Sequence, residues 1–369
     1  MNDPAIYIYA KEIGWEEKLP CTIQYHGESF DGEIKNRGGS SSKYPKHSMT
    51  LELDDEIALA GLPKNDDWIF NASYIDKTFQ RHKLSYDLFR KMHPQNKAPQ
   101  CTYVPVYLND KYIGLYVLME KVNGSWLGFD KKNPKGARLF KDPFVFVKER
   151  LPNVQEPDNY YQQKFPKQKK LDCNHELDSL KQFLFNTDDE TFGKWSYTQI
   201  DERNLIDWHL LLLLTNNDDG IFKNFYLYKE GGDQWKFIPW DYDHSFGRDG
   251  NYELNLIERE VGWEKVVLLR RLMELKQSGY ALNLKRRYEE LRKEVFTEDA
   301  LIQMIAENER MLQPYLKENS ELWPMDAKWY SDANNYNQEI EIIKKYIPMR
   351  LEQLDTFFSN LEYGEEEKE

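Results

Sequence analysis

In NNDDGIFKNFYLYKEGGDQWKFIPWDYD, residues 216–243, two apolar runs flank a glycine pair. Residues 222–228 (FKNFYLY) and 234–240 (QWKFIPW) have strand composition. Gly231 and Gly232 supply the turn, because glycine accepts positive φ. Folding the hairpin there puts Asn224 near Pro239, with Asp219 and Asp241 just beyond the open end. Carboxylates converging beside an Asn amide are what a divalent cation and a phosphate require.

The surrounding chain of 369 residues is long enough for two compact units or one large two-part domain. Its 40% hydrophobic and 14% aromatic content predicts a packed globular protein. A net charge of −13 argues against nucleic acid as the main partner and favours basic protein partners. Cys21, Cys101 and Cys173 are far apart and form no CxxC, so a zinc site or disulfide framework is not expected, and a reducing compartment fits. No apolar run reaches membrane-spanning length, and the first residues lack the basic head and apolar core of a signal peptide.

Strands are expected at 21–25, 28–35 and 47–53, and a helix at 76–92. A second hairpin is expected from 103–108 and 113–119, turning at Asn109-Asp110. Residues 123–175 read as loop-rich. Helices follow at 176–186, 203–215, 266–276, 282–295 and 298–312, the last capped by Thr297. In the final helix Ile340, Ile343, Ile347, Leu351, Leu354 and Phe358 make one apolar face, with a kink expected at Pro348. This is an α+β chain with a strand-rich front and a helical back. Its expected divisions are 1–122, 123–363 and an acidic tail, 364–369.

Four segments carry chemistry. Asp219-x4-Asn224 provides a carboxylate for an acceptor hydroxyl and an oxygen ligand for a metal, but alone it is equally an Asx-rich turn before a strand. Asp241 and Asp243 leave a strand that Ile238, Pro239 and Trp240 suggest is partly buried, and a buried carboxylate needs a partner. Between strands, Arg37-Gly38-Gly39-Ser40 through Lys43 and Lys46 exposes amides, hydroxyls and cations suited to phosphate; it is not a P-loop, and alone it is an ordinary hairpin loop. The apolar strand 114–119 runs into a polar connector, Glu120 to Gly124, able to offer amides to a base edge. The histidines are scattered with no HExxH pattern, so each is by default a solvated or core histidine; only His244 lies near the acids. A two-carboxylate glycosidase would leave the Asn224 amide and the basic loop unexplained.

Taken in order, these segments resemble the CotH family of spore-coat protein kinases. The likeness lies in the Arg-Gly-Ser loop with Pro45-Lys46-x-Ser48, in Arg81-x-Lys83-Leu84-Ser85, in Gly114-x-Tyr116-x-Leu118-x-Glu120, in Asp219-Gly220-x3-Asn224-Phe225-x-Leu227-Tyr228, and in Ile238-Pro239-Trp240-Asp241-x-Asp243-x-x-Phe246-Gly247-Arg248. The resemblance implies an atypical protein-kinase fold with a strand-rich N-lobe and a helical C-lobe, transferring the ATP γ-phosphate to Ser or Thr with Mg²⁺ or Mn²⁺. It implies Asp219 as the catalytic Asp, with Asn224, Asp241 and, more weakly, Asp243 as metal ligands. Arg37, Gly38, Gly39, Ser40 and Lys46 become phosphate contacts, and Glu120 part of a hinge under adenine. Basic, Ser-rich coat or surface proteins are the implied substrates, in the cytoplasm or spore coat. AMP transfer on the same cradle, or a non-catalytic scaffold, are the competing readings. Helix 76–92 has no Glu, so the usual lysine–glutamate pair is missing there, and Glu120 or Asp87 is the expected substitute.

Overall fold

The computed structural model describes residues 4–147, 161–232, 234–249, 252–255, 260–324, 328–330 and 332–362. Asp233 of the hairpin turn and the acidic tail lie outside the described residues.

The first part of the chain forms a sheet that closes on itself. Strands β1 (Ile6–Ala10), β2 (Leu19–Tyr25), β3 (Glu28–Arg37), β4 (Ser48–Ile57) and β5 (Asn65–Asn71) pair in succession. Helix α1 (Arg81–Met92) intervenes before β6 (Cys101–Leu108) and β7 (Lys111–Glu120). β7 pairs with β5, and β6 closes the barrel by running parallel to β1. Ile6, Ile8, Ile23, Ile34, Leu51, Trp68, Phe70, Val104, Val106 and Leu118 belong to one buried cluster. The β6–β7 hairpin turns at Asn109-Asp110, both at positive φ (49° and 65°), the type I′ geometry that matches strand twist.

A second, larger core gathers the rest. β8 (Ala137–Lys141), β9 (Gln163–Phe165), β10 (Phe225–Glu230) and β11 (Lys236–Pro239) form a sheet ordered β11-β10-β8-β9. Around it lie α2 (Asn174–Asn186), α3 (Asp189–Gln199), α4 (Glu202–Thr215), α5 (Val267–Glu274), α6 (Tyr280–Leu291), α7 (Glu298–Leu322) and α8 (Tyr336–Asn360), with a small ribbon of β12 (Arg248–Asp249) and β13 (Tyr252–Asn255). The chain is therefore α+β, with strands first and helices last, and its front sheet is a closed barrel.

Several expected bounds change for local reasons. The helix expected at 76–92 starts only at Arg81, because Asp76 draws the preceding residues into a turn. Its carboxylate accepts from Thr78 N, Thr78 Oγ1 and Arg81 N. The loop-rich 123–175 contains β8 and β9. The helix expected at 298–312 runs ten residues further, through Pro314. Thr297 caps it as expected, accepting from Ala300 N at 3.1 Å. In α8 all six residues of the expected apolar face are buried.

Helix α4 is apolar on nearly every face and sits in the middle of this core. Its His209 is wholly buried, with Nδ1 at 3.1 Å from the Tyr280 hydroxyl, and burial pushes its pKa down to about 3. The unfolded chain binds a proton below the ordinary His pKa while the folded one refuses it, so stability is complete above that value and falls as pH drops toward 3. Between pH 7 and 4.5, wild type is expected to lose roughly 2–3 kcal/mol more than His209→Phe in urea melts. Equal losses would count against the burial.

Candidate active site

Helix α4 positions the candidate loop. Asp201 caps its start, accepting from Asn204 N at 2.8 Å, and Asn216 ends it in the left-handed conformation. The carbonyls orphaned at its end find donors on other segments. Arg350 Nε donates to Leu213 O, Tyr346 OH to Leu214 O, both at 2.7 Å, and Phe246 N to Thr215 O at 2.8 Å. The loop after Asn216 thus leaves a fixed point. A 3-10 turn, Asp218–Gly220, follows, with the Asn217 side chain accepting from Gly220 N.

Asp219 and Asn224 are joined: Asn224 Nδ2 donates to Asp219 Oδ2 at 2.8 Å, and Lys223 Nζ lies 3.0 Å from Asp219 Oδ1. The hairpin register pairs Phe225 with Pro239, so Asn224 stands opposite Trp240, one residue beyond the expected partner; Trp240 N donates to Asn224 O at 3.0 Å. Asp241 follows immediately. Asn224 (φ 62°) and Asp241 (φ 58°) are both left-handed, a conformation that Asn and Asp tolerate better than other side chains with a Cβ. The hairpin therefore splays these two residues at the mouth.

Helix α1 locks the other side of that mouth. His82 and Tyr86, one turn apart on its buried face, take the two backbone amides that follow β11: Asp241 N donates to Tyr86 OH and Tyr242 N to His82 Nδ1, each at 2.9 Å. The ring's Nε2 lies 3.6 Å from Asp241 Oδ1 and 3.2 Å from Asn71 Nδ2. His82 Nε2, Asp241 and Asp243 offer atoms within 4.8 Å of one another. One imidazole and two carboxylates make a mixed nitrogen and oxygen donor set of the kind a divalent cation accepts. Asp243 is held above the usual carboxylate range, first by burial and then by the charge of Asp241, with His244 and His82 opposing. Two carboxylates that disfavour each other's charge are relieved by a divalent ion. Asn224 gives its NH₂ to Asp219, which leaves its amide oxygen as the ligand atom.

These residues border one cleft of about 510 Å³ between barrel and helices. Arg37, Gly38, Gly39, Ser40, Lys46, Asp219, Asn224, Asp241 and Asp243 all line it. Glu120 is not among the lining residues: its carboxylate accepts from Gln100 N at 2.8 Å, while its neighbour Met119 faces the cleft. Lys46 Nζ donates to Ala72 O (3.1 Å), to Leu115 O and to Asn319 Oδ1 (3.3 Å). The expectation that Glu120 or Asp87 pairs with this lysine fails, since Asp87 is taken by Lys83 and Arg90. Asp218 also turns elsewhere, accepting from Gly262 N at 3.0 Å.

Four charged or imidazole side chains of the cleft escaped the sequence reading. Lys223, held protonated by Asp219 against the pull of burial, was visible as an i+4 partner of that Asp. Asp142 and Lys141 arrive because β8 pairs beside β10, and Asp142 Oδ1 accepts from Asn224 N at 2.7 Å. No sequence pattern announces that. His82 is more than a core histidine, but 159 residues separate it from Asp241.

Residues 34–354 match the family model described as CotH kinase protein. The chain belongs to the CotH family. It is also 24% identical, over 95% of its length and 94% of the relative's, to the inner spore coat protein H of Bacillus subtilis (strain 168). The CotH match encloses every residue of the cleft, from Arg37 to His244.

Proposed function

We propose that this CotH-family chain is a Ser/Thr protein kinase of two-lobed, kinase-like organisation, binding ATP with Mg²⁺ or Mn²⁺ between barrel and helices. The observation that carries the reading is the bonded Asp219–Asn224 pair at the hairpin mouth, facing Asp241 in a cleft that also holds Arg37, Lys141 and Lys223. Asp241, the Asn224 amide oxygen and Asp243 would hold the metal, which neutralises charge on the transferred phosphate when bound. Asp219 would orient the acceptor hydroxyl and take its proton as the hydroxyl oxygen bonds to the γ-phosphorus and the bond from that phosphorus to the β–γ bridging oxygen breaks, releasing ADP. Lys223, bonded to that same carboxylate, sets a positive charge beside it. Arg37 stacks over Trp240 at 5.8 Å, with Lys141 at 5.9 Å from the same ring, placing two further cations for phosphate oxygens. Lys46 is held by three oxygens, so a phosphate competes with them for it. The name of the Bacillus subtilis relative, an inner spore coat protein, supports a spore-coat setting, and the charge of −13 supports basic, Ser-rich acceptors.

Intact-mass spectrometry of the enzyme and a basic Ser-rich test protein, after incubation with ATP and Mg²⁺, tests this. A gain of phosphate units that is lost in Asp219→Asn is the expected result. A gain of AMP units would make the chain an AMP-transferase, and no gain on either protein would leave a non-catalytic scaffold.

A further inference from the structure

A second cavity, of about 480 Å³, lies at the junction of the barrel with α7 and α8. It shares one wall with the cleft, formed by Lys46, Ala72, Ser73 and Tyr74. Its size is that of a small-molecule site. Phe79, Leu316, Trp323, Tyr330 and Tyr336 give it an apolar, largely aromatic surface.

Its charge is unusual for this protein. The chain has 63 acidic residues against 50 Lys and Arg. Yet among the described residues the lining contains three lysines, Lys46, Lys77 and Lys317, and no carboxylate. Lys77 is balanced by Asp332 at 2.8 Å, and Lys317 is exposed at the rim. Lys46 is different. It is 2% exposed, and its oxygen partners are two backbone carbonyls and an amide. The faces of Phe79 and Tyr116 lie 5.1 and 4.4 Å from its Nζ. A buried ammonium without a counter-ion is costly, and burial pulls its pKa well down.

The site is also built. Asn319 on α7 accepts from Leu115 N at 3.0 Å, and Trp323 Nε1 donates to Ile113 O at 2.9 Å, fixing the helix to β7. Gly114 between them has φ +126°, and a Cβ there would come within 2.8 Å of Trp323 Nε1 and 2.9 Å of Lys46 Cε. The missing side chain is what lets lysine, amide and indole meet.

We propose that this junction cavity binds a small aromatic carboxylate, its ring among the aromatic walls and its carboxylate paired with Lys46. The weakest of the lysine's present bonds, to Asn319 at 3.3 Å, is the one such an anion replaces. Because Lys46 belongs to the wall shared with the cleft, the occupant is felt there.

The probe is 4-phenylbutyrate, compared by calorimetry with 4-phenylbutanamide, on the full chain and without nucleotide, so that the outcome is independent of the kinase reading. The acid is expected to bind about ten- to a hundredfold more tightly than the amide, the scale of one charge-assisted hydrogen bond. Lys46→Met should erase that preference. Leu316→Trp, which fills the cavity, should abolish binding of both while leaving the melting temperature of the full chain unchanged. Equal affinity for acid and amide, a preference that survives in Lys46→Met, binding retained by Leu316→Trp, or no heat of binding by wild type would each overturn the proposal. The acid–amide comparison on wild type decides even if a variant fails to fold.

Discussion

Asp241→Asn should lower phosphate transfer to a Ser-rich test protein by at least about a thousandfold, since removing the charge that fixes a catalytic metal forfeits several kcal/mol of transition-state stabilisation. Asn is the informative replacement, because the left-handed backbone at this position (φ 58°) is one that Asn also accepts. The bond from Asp241 N to Tyr86 OH involves the main chain and survives the change. The variant should therefore melt no lower than wild type. Burial and then Asp241 hold the Asp243 carboxyl above its usual range, so removing the neighbouring charge relieves the metal-free protein. Loss of transfer together with an unchanged or raised melting temperature is the signature of a residue kept for chemistry. Transfer within tenfold of wild type would remove Asp241 from the metal site.

That site was half legible in the sequence. The hairpin, its turn and the convergence of Asp219, Asn224 and Asp241 follow from two strand runs around glycines, because hairpin pairing is local and its register is counted along the chain. Helices α4 and α8 were legible for the same reason: each announces its own buried face. What stayed hidden depends on non-local pairing. Five-residue β1 gives a weak period-two signal, yet it closes the barrel against β6, a hundred residues on. β5 was unread because NDDWIFN opens on three residues that disfavour strands. α3 has Gly193 in its middle and an indistinct apolar face. Asp142 enters the cleft only through the pairing of β8 with β10, and His82 only through the packing of α1 under β11. The sequence named the candidate residues on the hairpin loop, and the fold supplied those that hold the loop still.

Arg81 is where that holding is most exposed to mutation. Its guanidinium is 1% exposed and bonds Asp76 at 2.6 Å, lies 3.6 Å from Glu339, and donates through Nε to Ser245 O at 2.9 Å. Arg248 ties the same Glu339 to Asp332, and Lys77 joins Asp332 from the barrel side. Three cations face three carboxylates, linking the turn before α1, the strand exit after Asp243 and the start of α8. Arg81→Met keeps the bulk of the side chain but leaves Asp76 and Glu339 buried with less positive charge than they need. A loss of about 3–5 kcal/mol in urea unfolding is expected, because the penalty for an orphaned buried charge exceeds what the intact pair contributes. Arg81→Lys should recover less than half of this, since one ammonium cannot span Asp76, Glu339 and the Ser245 carbonyl together. Adding Glu339→Gln to Arg81→Met removes one of the stranded charges, so the double variant should be more stable than the sum of the two single losses predicts. Strict additivity would mean that Arg81 and Glu339 do not interact and that Asp76 alone balances the guanidinium. The coupling expected instead ties stability to the cleft: the bond to Ser245 O fixes the segment two residues beyond Asp243, and a chain that loses Arg81 loses the floor on which the proposed metal ligands stand.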